Sequence, residues 1–113
     1  MNTPVRFWAD LSTTDFAALD LARTIAVLPV AATEQHGPHL PLSVDTDLVN
    51  GVVNACLPHL PADSPVLFLP TQNVGLSPEH ARFAGTLTLK AETVIRVWTD
   101  IAESLAASGV QKL

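Results

Sequence analysis

Two uncharged apolar runs, Ile25 to Ala32 and Val66 to Leu69, each lead into a polar loop, and a segment of helical period lies between them. This order constrains the fold more than any other feature, because strand, helix and strand in succession form the crossover unit of a parallel sheet. Ile25 to Ala32 is apolar on both sides and reads as a strand covered on both faces, with Pro29 removing a ladder donor and marking a bulge or an edge. From Thr46 to Leu57 the apolar residues Val49, Val52, Val53, Cys56 and Leu57 fit one helical face, and Pro58 ends it. Val66 to Leu69, bounded by Pro65 and Pro70, is the second buried strand. A helix is predicted over Ala91 to Ser108, with Val94, Trp98, Ile101 and Leu105 as its inner stripe and Gly109 as its stop. Val110 to Leu113 looks like the first residues of a third strand. Ahead of the sheet, Ser12 to Asp15 has the form of a capping box opening a short helix, in which Phe16, Leu19 and Ala22 repeat at helical spacing.

The expected fold class is therefore α/β, a three-layer sandwich with a mainly parallel sheet, of which these residues supply the N-terminal portion. All 113 residues fit one domain, and a chain that stops as a strand is entered is expected to be the N-terminal part of a longer domain. Ligand sites in such sheets lie beyond the carboxyl ends of the strands. The loops from Glu34 to Asp47 and from Thr71 to Gly85 both leave carboxyl ends, so they are expected to meet on one rim.

The first of those loops, Thr33-Glu34-Gln35-His36-Gly37-Pro38-His39-Leu40-Pro41 with Asp45-Thr46-Asp47 beyond it, has the composition of a site. Carboxylate oxygen with imidazole nitrogen is a donor set suited to zinc or manganese, and with Cys56 as the sole cysteine no thiol-rich site is available. Glu34 and His36, two apart in an extended segment, project to one side. Pro38 and Pro41 stiffen the loop that brings Asp45 back toward them. The later loop carries Asn73, Ser77, Glu79 and His80.

Charge and composition narrow the function classes. A net charge of -5 with six Lys and Arg gives no basic footprint, so neither nucleic acid nor an anionic membrane surface is an expected partner. The longest apolar stretch falls far short of the roughly 20 residues needed to cross a bilayer, the acidic N-terminus is unlike a signal peptide, and a lone cysteine makes no internal disulfide, so a cytoplasmic setting is expected. Apolar residues at 48% and charged residues at 15% describe a folded chain with covered surfaces or subunit contacts.

Leu28 to Leu42, containing Thr-Glu-Gln-His-Gly-Pro-His-Leu-Pro and followed by Asp45 and Thr46, resembles the signature of the creatininase family of metal-dependent amidohydrolases. Gly75 to Leu89, containing Ser77-Pro78-Glu79-His80 and Gly85-Thr86, is similar to that family's second loop. Ala31-Ala32 stands where Gly-Ser is common and Ala84 where Pro is common, and neither change removes a donor. The resemblance covers the amino-terminal portion of a family member; a further Asn-Gly-His-like motif is expected past Leu113. It implies hydrolysis of a C–N bond in a cyclic or linear amide by water activated at two divalent ions, zinc first, with manganese or iron as alternatives. It further implies Glu34 as a ligand of one ion, His36 of the other, Asp45 as the bridging carboxylate, and Ser77 against the substrate. It also implies a small-molecule amide substrate and a homo-oligomer, commonly a hexamer.

Plainer roles compete with these. Acids ahead of a helix commonly cap it, which is the reading kept for Asp47, while Asp45 is assigned to metal. His39 is expected to hydrogen-bond within its loop, and His80 is either a substrate contact or a support behind the ligands. Ser77, Glu79 and His80 also suit a turn. His59 reads as solvated, Cys56 as an inert apolar residue, Trp98 as core or a subunit contact, and Trp8 is too isolated to interpret. Two other functions stay open: a non-catalytic remnant acting as a weak metal-binding or subunit-association module, and an unrelated α/β binding module.

Overall fold

In the computed structural model, which describes residues 4–113, helix α1 (Thr13–Ala17), strand β1 (Ile25–Val27), helix α2 (Val44–Cys56), strand β2 (Val66–Phe68) and helix α3 (Ala91–Ser108) follow in order. Short 3-10 turns lie at Trp8–Asp10, Leu57–His59 and Pro78–His80. The two strands pair in parallel, Ile25 opposite Val66 and Val27 opposite Phe68. Single parallel bridges flank them, Phe7 beside Phe68 and Lys112 beside Ile25. The anticipated third strand at Val110 to Leu113 is thus one bridge, in which Ala26 N–H donates to the Lys112 carbonyl at 3.0 Å.

The first strand is shorter than its sequence suggests, ending at Val27 instead of Ala32. Pro29 is the cause, since it has no N–H to donate. Pairing resumes past it: Gln72 N–H donates to the Pro29 carbonyl and Ala31 N–H to the Gln72 carbonyl, both at 2.9 Å. The loops leaving β1 and β2 are therefore sewn together side by side, which carries the two candidate segments to one rim.

Ala26, Leu69, Leu105 and Val110 form the core, with Trp8, Leu21, Leu28 and Ile101 packed against it. Arg6 is buried, and its guanidinium donates to the carbonyls of Ser64 at 2.7 Å and Pro61 at 2.6 Å. In α1 the capping box forms in full, the Asp15 carboxylate accepting from the Ser12 N–H and Asp15 N–H donating to the Ser12 hydroxyl, but the helix ends at Ala17, so the expected helical positions Leu19 and Ala22 lie beyond it. Gly109 closes α3 with φ of 101°, the left-handed conformation a helix stop of this kind takes.

Helix α2 departs from expectation at its start and within its apolar stripe. It starts at Val44, ahead of the predicted Thr46, which puts Asp45 inside the first turn. Its inward face is narrower, with Val53 buried and Val49 and Leu57 partly covered, while Val52 and Cys56 are exposed. Cys56 is therefore a surface thiol and no part of the core. Trp98 in α3 also faces outward, with its indole N–H donating to Gln72 Oε1 at 2.7 Å, and Val97 takes its place on the half-covered side.

Candidate metal centre

The segment that carries Glu34 to His36 is clamped from both sides. Thr33 donates its hydroxyl to the Asn73 carbonyl at 2.7 Å and accepts Leu87 N–H at its own carbonyl at 2.9 Å. Gln35 N–H donates to the Thr86 hydroxyl at 3.1 Å. An extended segment held at Thr33 and Gln35 presents alternate side chains to one side, and Glu34 and His36 lie there together. Gly37 follows with φ of 77°, a conformation that disfavours other residues, and turns the chain away. The backbone returns through Leu40 and Leu42 to the start of α2, where Asp45 sits in the first turn.

Glu34, His36 and Asp45 thereby each offer a donor atom within 4.8 Å of the other two. The tautomer of His36 follows from its partner: Nδ1 lies 3.0 Å from the Glu34 carbonyl, which only accepts, so Nδ1 carries the hydrogen. In the neutral ring Nε2 then bears a lone pair, and it faces Asp45 Oδ1 at 3.5 Å. Two electron-rich atoms pointed at each other suit a cation between them. An imidazole oriented through its other nitrogen by a carbonyl is also how metal-bound histidines are commonly held. The donor set of two carboxylates and one imidazole fits zinc or manganese.

A second group shares Glu34. His80 Nε2 lies 3.7 Å from Glu34 Oε2 and 3.7 Å from Glu79 Oε1, and Glu34, Glu79 and His80 also bring donor atoms within 4.8 Å. Sequence reasoning treated Glu79 only as a turn residue. Its adjacency to His80 in the turn at Pro78–His80 was the available signal. Gln35, which lies 2.8 Å from His80 Nδ1 through its side-chain amide, went unnoticed between two stronger donors.

The remaining residues fall outside these groups. Asp47 accepts from the Ser43 hydroxyl at 2.8 Å rather than from a free backbone N–H, so its expected capping role is not the contact it makes. His39 and His59 are exposed. Ser77 is fully buried; its N–H donates to the Thr88 hydroxyl at 2.7 Å, and its own hydroxyl is the buried side-chain polar atom left without a partner among the described residues. No described helix is long and apolar enough to cross a membrane.

Known proteins resemble this chain over most of its length. The family profile described as "Creatininase: Creatinine amidohydrolase" matches residues 9–113. The mycofactocin precursor peptide peptidase of Mycobacterium tuberculosis (strain CDC 1551 / Oshkosh) is 38% identical over 86 residues, covering 71% of this chain and 34% of that protein. Its counterpart in Mycobacterium ulcerans (strain Agy99) is 33% identical over 102 residues, covering 86% and 41%. The chain thus spans roughly a third to two-fifths of the curated relatives it matches. Among solved structures, a creatininase variant complexed with creatine superposes with a TM-score of 0.83 at 27% identity, covering 97% of this chain and 43% of that one. A Zn–Zn creatininase variant gives 0.82 and the manganese form of creatininase 0.80, each at 27% identity, with 97% of this chain covered and 43% and 44% of theirs.

Proposed function

The chain belongs to the creatininase family of hydrolases, and on that premise we propose that it contributes part of a dinuclear metal site that hydrolyses a C–N bond of an amide. The observation that carries this reading is the convergence of Glu34, His36 and Asp45 within 4.8 Å, with His36 Nδ1 engaged by the Glu34 carbonyl so that Nε2 is the nitrogen left to ligate. Glu34 and Asp45 would hold one ion, His36 and Asp45 the other, with Asp45 between them, where an anion lowers the repulsion of two dications. Two divalent cations supply an acidified water and a polarised carbonyl. Zinc is the first choice, with manganese second, as in the related structures. Ser77 is assigned to the substrate side.

The chain's own part is to hold these donors still. The clamped Thr33 to Gln35 segment and the first turn of α2 fix three side chains before any ion arrives, which reduces the ordering cost of binding. Residues 1–113 are assigned to the amino-terminal part of one three-layer domain. A homo-oligomer in the cytoplasm is the proposed setting. For the substrate, identity of 33% over 86% of the chain to a peptidase of a precursor peptide, against 29% over 96% to creatininase, leans toward a peptide-borne C–N bond over creatinine itself.

Three donors shared by two ions leave each ion short of the three protein ligands usual at catalytic zinc. That count keeps a second reading in view, in which these residues serve as a weak metal-binding or subunit-association module. Elemental analysis and amide hydrolysis by the polypeptide bearing this segment decide between them. Stoichiometric zinc or manganese, with amine release lost on chelation and recovered on adding metal, is the expected result. Turnover that survives exhaustive chelation overturns the hydrolase mechanism, and weak metal uptake without turnover selects the module.

A further inference from the structure

The two imidazoles near Glu34 are held in opposite tautomers, and we infer that Gln35 sets that of His80 so that its Nε2–H positions the Glu34 carboxylate. The inference rests on the assignment of Glu34, His36 and Asp45 as metal ligands. Gly37 N–H donates to Gln35 Oε1 at 2.9 Å, which fixes which end of the amide is oxygen. The opposite end, Nε2, therefore points its hydrogens at His80 Nδ1, 2.8 Å away. Nδ1 accepts, so the neutral His80 ring carries its hydrogen on Nε2. His80 Nε2 lies 3.7 Å from both Glu34 Oε2 and Glu79 Oε1, beyond hydrogen-bond length but close enough for the N–H dipole to act on either carboxylate.

His36 is the mirror case, with its hydrogen on Nδ1 and a bare Nε2. A bare Nε2 ligates a cation; an Nε2–H does not. The group of Glu34, Glu79 and His80 has metal-site spacing, yet its imidazole is a donor of hydrogen, so it supports the centre and does not form a second one. Of its two carboxylates, the Glu79 side chain is 64% exposed and that of Glu34 is 15% exposed. The covered one gains more from an N–H aimed at it, because water competes less. One oxygen of Glu34 is then steered by His80 while the carboxylate keeps a second oxygen for the ion. His80 is in this account a positioning residue, and Gln35 positions it in turn.

The assignment is tested first without any metal. Long-range 1H–15N correlation spectra of the metal-free protein at mildly alkaline pH are expected to show His80 hydrogenated on Nε2 and His36 on Nδ1. A hydrogen on Nδ1 of His80 overturns the inference. Zinc titration with a chromophoric competitor then reads the consequence. His80→Ala is expected to bind zinc roughly 10–100-fold more weakly, the usual cost of losing a partner behind a ligand. His80→Gln, which places an N–H near the same point, is expected to recover most of that loss. Gln35→Glu, whose carboxylate accepts from Nδ1, is expected to move the His80 hydrogen to Nδ1 and to weaken zinc as His80→Ala does. Wild-type affinity in His80→Ala overturns the positioning role, as does a failure of His80→Gln to recover more than His80→Ala when both retain the wild-type fold by circular dichroism. A wild-type protein that binds no zinc would instead overturn the metal assignment of Glu34, His36 and Asp45, and the spectra would still decide the tautomers.

Discussion

Asp45 and His36 face each other across 3.5 Å with lone pairs on both sides, so the most direct residue-scale change is to disarm one of them while keeping its shape. Asp45→Asn places an amide where the bridging carboxylate stands. Zinc affinity is expected to fall by more than the roughly 100-fold upper range seen for outer partners, measured by competition with a chromophoric chelator; a loss of only a few-fold would remove Asp45 from the ligand set. Ser77 gives the opposite pairing of effects. Its hydroxyl is buried without a partner, and such a group costs about 1–3 kcal/mol. Ser77→Ala is therefore expected to leave the protein as stable or more stable by up to about that amount in urea unfolding, while lowering turnover of the proposed substrate. A destabilised variant with intact turnover would contradict the assignment. Glu34 and His36 were legible in the sequence because alternate residues of an extended segment share a side, which needs only local geometry. Gln35 was not, because its role depends on Gly37 N–H at one end of the amide and on His80, far along the chain, at the other.

At the scale of elements, helices were read more accurately than strands, and the reason is where each gets its hydrogen bonds. A helix satisfies itself, so the capping box at Ser12 and the stop at Gly109 act locally and both appear as expected. A strand depends on a neighbour, and Pro29 broke the ladder that the apolar run Ile25 to Ala32 suggested. The outward turn of Val52 and Cys56 was equally hidden, because helical period identifies an apolar face without saying what will cover it. The local character of the α1 cap makes it testable by acid. The Asp15 carboxyl is held below its ordinary value by its hydrogen bond from the Ser12 backbone N–H and then by that from the Ser12 hydroxyl. A lowered value in the folded state means the stabilisation is present above the unfolded carboxyl's range and is lost as pH falls through the folded value. Amide exchange in Phe16 and Ala18 is expected to accelerate relative to the core at acid pH. Asp15→Asn should give the faster rates already at neutral pH and remove most of that pH dependence.

At the scale of the whole molecule, the chain is a slab of 47 × 31 × 19 Å with a radius of gyration of 16.3 Å, where a compact domain of this length has about 13 Å. It exposes 7434 Å², against roughly 6,000 Å² for a folded protein of 12.0 kDa. Large apolar side chains are among the exposed residues. Leu48 and Val52 are 64% and 63% exposed, one helical turn apart on α2 with the exposed Cys56 a turn further, and Ile95 on α3 is 62% exposed. Side chains four apart form a continuous ridge, and a ridge of this kind on a single chain favours association. Expressed alone, residues 1–113 are expected to bind a hydrophobic dye and to sediment as species heavier than a monomer. Leu48→Gln with Val52→Gln should reduce both signals while changing unfolding free energy by no more than about 0.5 kcal/mol per site, as surface substitutions do. A monodisperse monomer that leaves the dye dark would mean that the ridge is an ordinary scatter of surface side chains. A double variant that unfolds would mean instead that α2 relies on its outer row for packing within the chain. The same experiment bears on the centre, because Asp45 opens α2, and anything that docks on this helix bears directly on the element that carries the bridging carboxylate.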